Sequence, residues 1–245
     1  MKAALVLSAG GMFGAYQAGA WRALAGRFRP DAVIGASVGA LNGWAIAGGI
    51  HPAELVAMWT DPRLAHMAKL ARPPAAGLLD PAPLRGLIGE IFARYTPLVP
   101  FAATLVELPG FGLRLVRTPE ITPQHLFAAT AVPVGYPPVR IAGKLYVDGG
   151  LLGALPLWAA AAMGAECAVA VDALPYMPSR VIRYAVRLLR RLAPQPPAAR
   201  PGDVLRIAPP DSLGSVRQAI HWDPAAITRW IDMGEADARR CFRLE

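Results

Sequence analysis

The sequence predicts an α/β protein with a mostly parallel central sheet and helices on both of its faces. An apolar run, Ala3–Leu7, leads through a glycine-rich loop into a helical pattern. A second apolar run ends at Gly35-Ala36-Ser37-Val38-Gly39, where another helical pattern starts at once. Continuous apolar runs are typical of strands buried on both faces of a parallel sheet. Because strand and helix patterns go on alternating along the chain, they indicate an α/β architecture.

The first loop, Ser8–Gly14, lies between the strand Ala3–Leu7 and a helix predicted over Ala15–Leu24. A dinucleotide-binding loop would need Gly-x-Gly-x-x-Gly and an acidic residue about 20 positions later. Here the first glycine position is Ala9, and the next strand ends at Ser37 instead of an acid. We therefore interpret the segment as an oxyanion loop, whose backbone N–H groups converge on a carbonyl oxygen held above Ser37. The proposed donors are Gly10, Gly11 and Met12.

The second unit, Asp31–Leu41, has the pattern of a nucleophile elbow. A strand that turns directly into a helix holds the hydroxyl of Ser37 out at the edge of the sheet. Gly35 and Gly39 lack side chains, so they permit the tight turn and a close helix crossing. The N-terminus of the new helix favours negative charge, as an acyl-transfer oxyanion requires.

The rest of the chain continues the alternation. Helices are predicted at Val38–Ala47, Pro52–Trp59, Pro83–Tyr95, from Pro123 with Thr122 as its cap, and at Leu155–Met163, Arg180–Leu192 and Pro224–Phe242. Strands are predicted as a pair within Phe101–Val116, as a hairpin over Val139–Val147, and at Cys167–Val171 and Val204–Ile207. The segment Thr60–Pro83 is predicted as mostly loop.

The length, composition and charge of the chain indicate which classes of protein it can belong to. The chain has 245 residues, 54% of them hydrophobic, so it can bury a sizeable core. Cys167 and Cys241 give neither a disulfide framework nor a metal-binding spacing, and we expect a cytoplasmic protein without metal or cofactor. The net charge of +8 suits nucleic acid or anionic lipid, but no nucleic-acid motif accompanies it. No run approaches the roughly 20 apolar residues of a membrane span.

An acidic candidate follows the strand pattern Lys144–Val147. Asp148 ends this strand, and Gly149 and Gly150 let the backbone bend sharply beside its carboxylate. An ordinary Asp-Gly turn remains the alternative. Ser37, Asp148 and His221 also follow the chain order of a catalytic triad, but His221 has the context of a surface or capping residue.

The three motifs together resemble the patatin-like phospholipase family. The glycine-rich loop, Gly-x-Ser-x-Gly and Asp-Gly-Gly occur in the family's order, and Ala129–Pro133 with Tyr136–Val139 resembles the stretch before its acid. Ile207–Pro210 and the final helix resemble the family's C-terminal end, whereas residues 61–118 carry little of the likeness.

This resemblance implies a three-layer α/β/α patatin-like fold in one domain, residues 1–245. A basic helix and proline-rich loop over residues 180–201 would lie within that domain. It also implies a carboxylic ester hydrolase with a Ser–Asp dyad and no histidine. Ser37 would attack the acyl ester of a lipid, and Asp148 would be the general base. An apolar pocket would have to raise the basicity of that carboxylate.

The loop departs from the family pattern, which usually starts with three glycines and has a cation directly before its last glycine; the departures are at the first glycine and at the cation. Ala9 and Phe13 occupy those two positions. Phe13 could favour a neutral ester, or it could mark a weakly active or silent lipid-binding member of the same fold. A Ser–Asp–His esterase is the other alternative.

Contact with a membrane surface is expected at two segments. The helix Arg180–Leu192 is basic and amphipathic, so it either lies on an anionic bilayer or packs its apolar side on the domain. Exposed parts of Leu64–Leu79 are the second candidate.

Overall fold

The computed structural model describes residues 2–71, 77–176 and 179–241. These residues form an α/β structure around a central sheet, and its strands run in the spatial order β5-β6-β3-β2-β1-β7-β8, with β4 paired to β3. The strands are β1 Ala3–Leu7, β2 Ala32–Ala36, β3 Phe101–Leu108, β4 Gly112–Arg117, β5 Val139–Ile141, β6 Lys144–Asp148, β7 Cys167–Val171 and β8 Asp203–Ile207. Strands β1, β2, β3, β7 and β8 are parallel, whereas β4 and β6 run antiparallel to β3.

Helices cover both faces of the sheet. They are α1 Gly14–Leu24, α2 Val38–Ala47, α3 Pro52–Thr60, α4 Pro81–Arg94, α5 Pro123–Thr130, α6 Leu157–Ala162, α7 Arg180–Leu192, α8 Val216–Ile220 and α9 Pro224–Cys241. Leu5, Val33 and Leu105 point to the face that α1–α5 and α9 cover. Val6 and Ile34 point to the other face, where α6 packs. The alternation within each strand therefore produces three layers, and the predicted fold class is confirmed.

Strand β3 is longer than its neighbours, and this length shapes the sheet. One edge of β3 pairs with β4 from Ala102 to Glu107. The opposite edge is shared, because Phe101–Thr104 pair with β2 and Leu105–Leu108 pair with β6. Since β2 and β6 run in opposite directions, their carboxyl ends meet at the middle of β3.

The predicted elements agree closely with the observed ones. Strands β1 and β7 and helices α2 and α7 have the predicted bounds. Helix α4 begins two residues before the predicted start, since the Asp80 carboxylate accepts a hydrogen bond from the Ala82 N–H at 3.0 Å and caps it there. The predicted loop contains a 3₁₀ segment, Pro62–Ala68, and the short helix α8 was not predicted. Phe242, the predicted last residue of α9, lies outside the described residues.

Candidate active site

Ser37 lies at the junction between β2 and α2, as the elbow pattern predicts. Its backbone has φ 55° and ψ −129°, a region that residues with side chains rarely adopt. Such a conformation costs roughly 1–3 kcal/mol and persists only where the surroundings impose it. The side chain is buried and makes no capping hydrogen bond to α2. The turn thus leaves the hydroxyl free to bond elsewhere.

Gly35 and Gly39 permit this turn by their lack of side chains. A Cβ on Gly35 would lie 2.2 Å from the Gly39 carbonyl oxygen. A Cβ on Gly39 would lie 2.5 Å from the carbonyl oxygens of Leu7 and Ser8 at the end of β1. These contacts are with backbone atoms, which cannot rotate away. Both glycines are therefore needed to bring the start of α2 against the end of β1.

We expect a Gly39→Ala substitution to lower the free energy of unfolding by about 3 kcal/mol, because the added methyl group overpacks rigid backbone. The matched control is Gly89→Ala in α4, where a Cβ meets nothing within 4 Å. That change should be neutral or stabilise the protein by about 0.5–1 kcal/mol through helix propensity. Urea unfolding of the two variants and the parent measures both effects. Equal stabilities for the two variants would contradict the packing argument.

Asp148 ends β6 opposite Leu105, one position beyond the pairing of Ala36 with Thr104. This register brings it to the elbow. The Ser37 hydroxyl donates to Oδ2 of Asp148 at 2.5 Å, and the Gly150 N–H donates to Oδ1 at 2.6 Å. The two residues of the sequence prediction are thus in direct contact, although 111 positions separate them.

The two glycines after Asp148 allow close packing around its carboxylate. A Cβ on Gly149 would lie 2.2 Å from the Thr104 carbonyl oxygen. A Cβ on Gly150 would lie 2.5 Å from the Ala9 Cβ. The chain can therefore turn across the end of β3 and return its Gly150 N–H to Asp148.

Burial of the Asp148 carboxylate changes its pKa. Asp148 is only 3% exposed, and loss of hydration raises its pKa to about 7. The hydrogen bonds from Ser37 and Gly150 act in the opposite direction, because they stabilise the ionised form. Asp148 is thus a much stronger base than an exposed aspartate.

The glycine-rich loop lies beside this pair, because Ala9 packs against Gly150. A 3₁₀ turn, residues 11–13, begins with the bond from the Phe13 N–H to the Gly10 carbonyl at 3.2 Å. Within the described residues, no hydrogen bond uses the preceding N–H groups, those of Gly10, Gly11 and Met12. These three N–H groups are the predicted oxyanion donors.

A buried polar network holds this loop against α2, and the sequence analysis did not identify it. Gln17 donates from Nε2 to the Ser8 carbonyl at 2.7 Å. Asn42 donates from Nδ2 to the Gly14 carbonyl and to Oε1 of Gln17, both at 3.0 Å. The indole N–H of Trp59 donates to Oδ1 of Asn42 at 3.0 Å. In the sequence, the only sign of this network is that Gln17 and Asn42 are single amide residues within helical patterns of small and apolar residues.

Phe13, which stands in place of the family's loop cation, is part of the hydrophobic core. Its ring is fully buried and packs edge-on against Trp230, with centroids 4.9 Å apart. The side chain therefore anchors the loop in the core, on the side away from solvent. A ring in this position does not contact an ester directly, and a preference for neutral esters stays a prediction.

None of the four histidines hydrogen-bonds to Ser37 or Asp148 within the part of the chain that the structure describes. His51 and His125 accept capping hydrogen bonds at the starts of α3 and α5. His66 is exposed in the 3₁₀ segment, and His221 is exposed at the end of α8. No group of three or more His, Cys, Asp or Glu side chains suited to a metal ion occurs in the described residues.

An apolar surface, here called the flap, borders the acid. The N–H of Asp148 donates to the Ala131 carbonyl at 3.1 Å, and the chain then continues through the flap residues. The Leu78 N–H donates to the Val134 carbonyl at 2.9 Å, and Leu70 pairs with Leu79. The flap comprises the exposed side chains Leu70, Leu78, Val132 and Val134. Val134 also has φ 73°, an unusual conformation for a β-branched residue.

A protein family and solved structures are similar to this chain. The family model described as "Patatin-like phospholipase" matches residues 5–161, a span that includes Ser37 and Asp148. The crystal structure of VipD from Legionella pneumophila is similar with a TM-score of 0.59 and 14% identity, covering 99% of this chain and 67% of VipD. The crystal structure of the type III effector protein ExoU gives a TM-score of 0.46 at 13% identity, covering 99% of this chain and 53% of ExoU. No curated protein sequence matched the chain.

Proposed function

Because the chain belongs to the patatin-like phospholipase family, we propose that it is a lipid acyl hydrolase that uses Ser37 and Asp148 as its catalytic pair. The observation that carries this proposal is the 2.5 Å hydrogen bond from the Ser37 hydroxyl to the buried carboxylate of Asp148. A serine hydroxyl is a weak nucleophile unless an adjacent base takes its proton. Because Asp148 accepts the hydrogen bond of this hydroxyl, it is the residue proposed as that base.

In the first half of the reaction, Oγ of Ser37 attacks the acyl carbonyl carbon while its proton passes to Oδ2 of Asp148. The carbonyl oxygen becomes an oxyanion, and the N–H groups of Gly10, Gly11 and Met12 would stabilise it by hydrogen bonds. The intermediate collapses when the ester C–O bond breaks. The proton on Asp148 then passes to the leaving alcohol, and the acyl group remains on Ser37.

In the second half, water attacks the acyl-enzyme and gives its proton to Asp148. The ester bond to Ser37 breaks, the carboxylic acid leaves, and the proton returns from Asp148 to Oγ. The Gly150 N–H holds the carboxylate in one orientation through both halves. No step in this scheme requires a metal ion or a cofactor.

The pH dependence of hydrolysis tests the role of Asp148. The carboxylate must be ionised to accept a proton, and its pKa is raised to about 7. We therefore expect kcat/KM to rise about tenfold per pH unit below pH 7 and to level off above it. The measurement uses a short p-nitrophenyl ester between pH 5 and 9, read at an isosbestic wavelength. A rate independent of pH across that range would contradict a base of this pKa.

A Ser–Asp–His triad is the first alternative, and the contacts of Asp148 disfavour it. Its two carboxylate oxygens accept bonds from Ser37 and Gly150, so no imidazole stands between the serine and the acid. His221 is exposed at the end of α8. Near-normal turnover of a His221→Ala variant is the expected result.

A silent lipid-binding protein is the second alternative. The replacement of the family's loop cation by Phe13 motivates it. The oxyanion donors are backbone groups, so this replacement does not remove them. Lipid binding without hydrolysis of any p-nitrophenyl ester would favour the silent protein over the enzyme.

The flap is the proposed approach for the acyl chain of the substrate. Val132 and Val134 follow directly after Ala131, whose carbonyl accepts from the Asp148 N–H, and the segment with Leu70 and Leu78 bonds to Val134. Hydrocarbon that packs against these side chains is removed from water next to the catalytic pair. The predicted lipid contact of Leu64–Leu79 is thus proposed for Leu70 and Leu78, because Leu64 is buried. Residues 72–76 of that segment lie outside the described residues.

A further inference from the structure

Helix α7 has two apolar surfaces, where the sequence analysis considered only one. Its inner surface includes Leu189, and Ala193 follows directly after the helix. Both belong to a cluster with Val106, Val147 and Leu152. Packing on the domain, one of the two predicted alternatives, is therefore observed. This inner surface already supplies the contacts that hold the helix in place.

The outer surface carries a row of exposed apolar side chains. Tyr184, Leu188 and Leu192 are 70%, 49% and 78% exposed, respectively. They are four positions apart, so they form a line along one side of the helix. Single exposed apolar residues are common on soluble proteins, but a continuous row marks a contact surface.

A row of cations runs beside the apolar row. Arg183, Arg187 and Arg191 each precede one of its members, and all three are exposed. Within the described residues no ion pair engages them, and the helix contains no acidic residue. The helix therefore presents uncompensated positive charge next to an exposed hydrocarbon surface.

Two arginines of this row, Arg183 and Arg187, also border a cleft of about 250 Å³ between α7 and the chain that follows β7. Arg183, Arg187 and Arg190 line it together with Tyr176. Guanidinium groups bind phosphate through paired, charge-assisted hydrogen bonds. The cleft thus brings together three arginine residues, whose chemistry suits a phosphate group at the side of the helix.

We propose that α7 docks the protein on an anionic lipid bilayer. The apolar row enters the interface, and the arginine row and cleft bind the phosphates of the headgroups. The proposal rests on the proposed function only in that a lipid hydrolase must reach lipids in a membrane. The docking proposal goes beyond the proposed function, because it assigns α7 as the membrane-binding surface and negative charge to the lipid.

The position of α7 connects this surface to the catalytic pair. The cluster around Leu189 includes Val147 and Leu152, which flank the segment Asp148–Leu151. The docking helix therefore packs against the part of the chain that carries the acid.

Vesicle co-sedimentation tests the proposal. The protein carries Ser37→Ala so that vesicles are not hydrolysed, and the vesicles are phosphatidylcholine with or without phosphatidylglycerol. We expect binding to the anionic vesicles that weakens as salt is added. The double variants Leu188→Ser/Leu192→Ser and Arg187→Gln/Arg191→Gln should each reduce partitioning about tenfold or more.

Matched controls separate this surface from the general charge of the protein. Arg27→Gln/Arg229→Gln removes the same charge at exposed positions outside α7, and Leu98→Ser removes an exposed apolar side chain elsewhere. Both should retain binding, and circular dichroism checks that every variant is folded. Equal binding to neutral and anionic vesicles, equal losses in controls and α7 variants, or self-association through α7 would each overturn the proposal. Vesicle binding through α7 by a protein that hydrolyses no ester would refute the proposed function and leave the docking surface standing.

Discussion

A Ser37→Ala variant is expected to lose covalent labelling by a fluorophosphonate and to lose hydrolysis by roughly 10⁴-fold or more. Fluorophosphonates react with a serine whose hydroxyl is deprotonated by a neighbouring base. Ser37 is the serine whose hydroxyl donates to Asp148, and it lies beside the open N–H groups of the glycine-rich loop. Alanine removes the attacking oxygen and keeps the backbone of the turn, so the fold should persist.

Mass spectrometry of the labelled protein identifies the modified peptide and so tests the nucleophile and the activity together. The matched control is Ser212→Ala, because Ser212 is an exposed serine whose hydroxyl bonds to the Gly214 carbonyl. It should keep full labelling. Retained labelling of Ser37→Ala, or a modified peptide that lacks residue 37, would refute the assignment of Ser37.

The sequence was sufficient to predict the elements that bear the site. The apolar runs of β1 and β2 have no helical period, so they predict strands. The glycines on both sides of Ser37 predict a tight turn from strand to helix. Asp148 was found by its position at the end of a strand, before Gly149 and Gly150. Each of these signals is local, because it depends on residues within a few positions of one another.

The contact between Ser37 and Asp148 is not a local property. It depends on the register of β3, whose one edge accepts β2 up to Thr104 and β6 from Leu105. Strand order cannot be derived from periodicity, so the motif order and the family resemblance alone suggested that the two side chains meet. The pKa of Asp148 likewise depends on burial by distant segments.

The features that the sequence did not show also depend on tertiary packing. The sequence showed Phe13 only as the replacement of a loop cation, and tertiary packing places its ring on Trp230 from α9. Helix α7 was assigned one apolar side that included Leu188, Leu189 and Leu192, because helical spacing does not show which of these side chains the domain covers. Gln17 and Asn42 were overlooked because a polar residue in an apolar pattern shows its partners only in the folded structure.

An Asp148→Asn variant is expected to lower turnover roughly 10²- to 10⁴-fold, the usual contribution of a general base. The amide is nearly the same size, and both of its groups can be satisfied. Oδ1 accepts from the Gly150 N–H, and Nδ2 donates to Oγ of Ser37, so the direction of that hydrogen bond reverses. A neutral amide cannot take the proton of Ser37, so the geometry is retained and the chemistry is lost.

The same variant should be more stable than the parent at alkaline pH, which separates a loss of catalysis from a loss of folding. The pKa of Asp148 is about 7 in the folded protein and near 3.8 when the chain is unfolded. Between these values the folded state binds more protons, so the contribution of Asp148 to stability falls as pH rises from about 4 to about 7. Asparagine removes this penalty, which is on the order of 4 kcal/mol above pH 7 for a fully buried group.

Urea unfolding at pH 5 and pH 8 measures this difference. The free energy of unfolding of Asp148→Asn should exceed that of the parent by more at pH 8 than at pH 5, whereas an exposed Asp211→Asn control should show no such excess. An advantage that is equal at both pH values would mean that folded Asp148 does not titrate between pH 5 and pH 8. Unchanged turnover of the variant would show that Asp148 is not the general base.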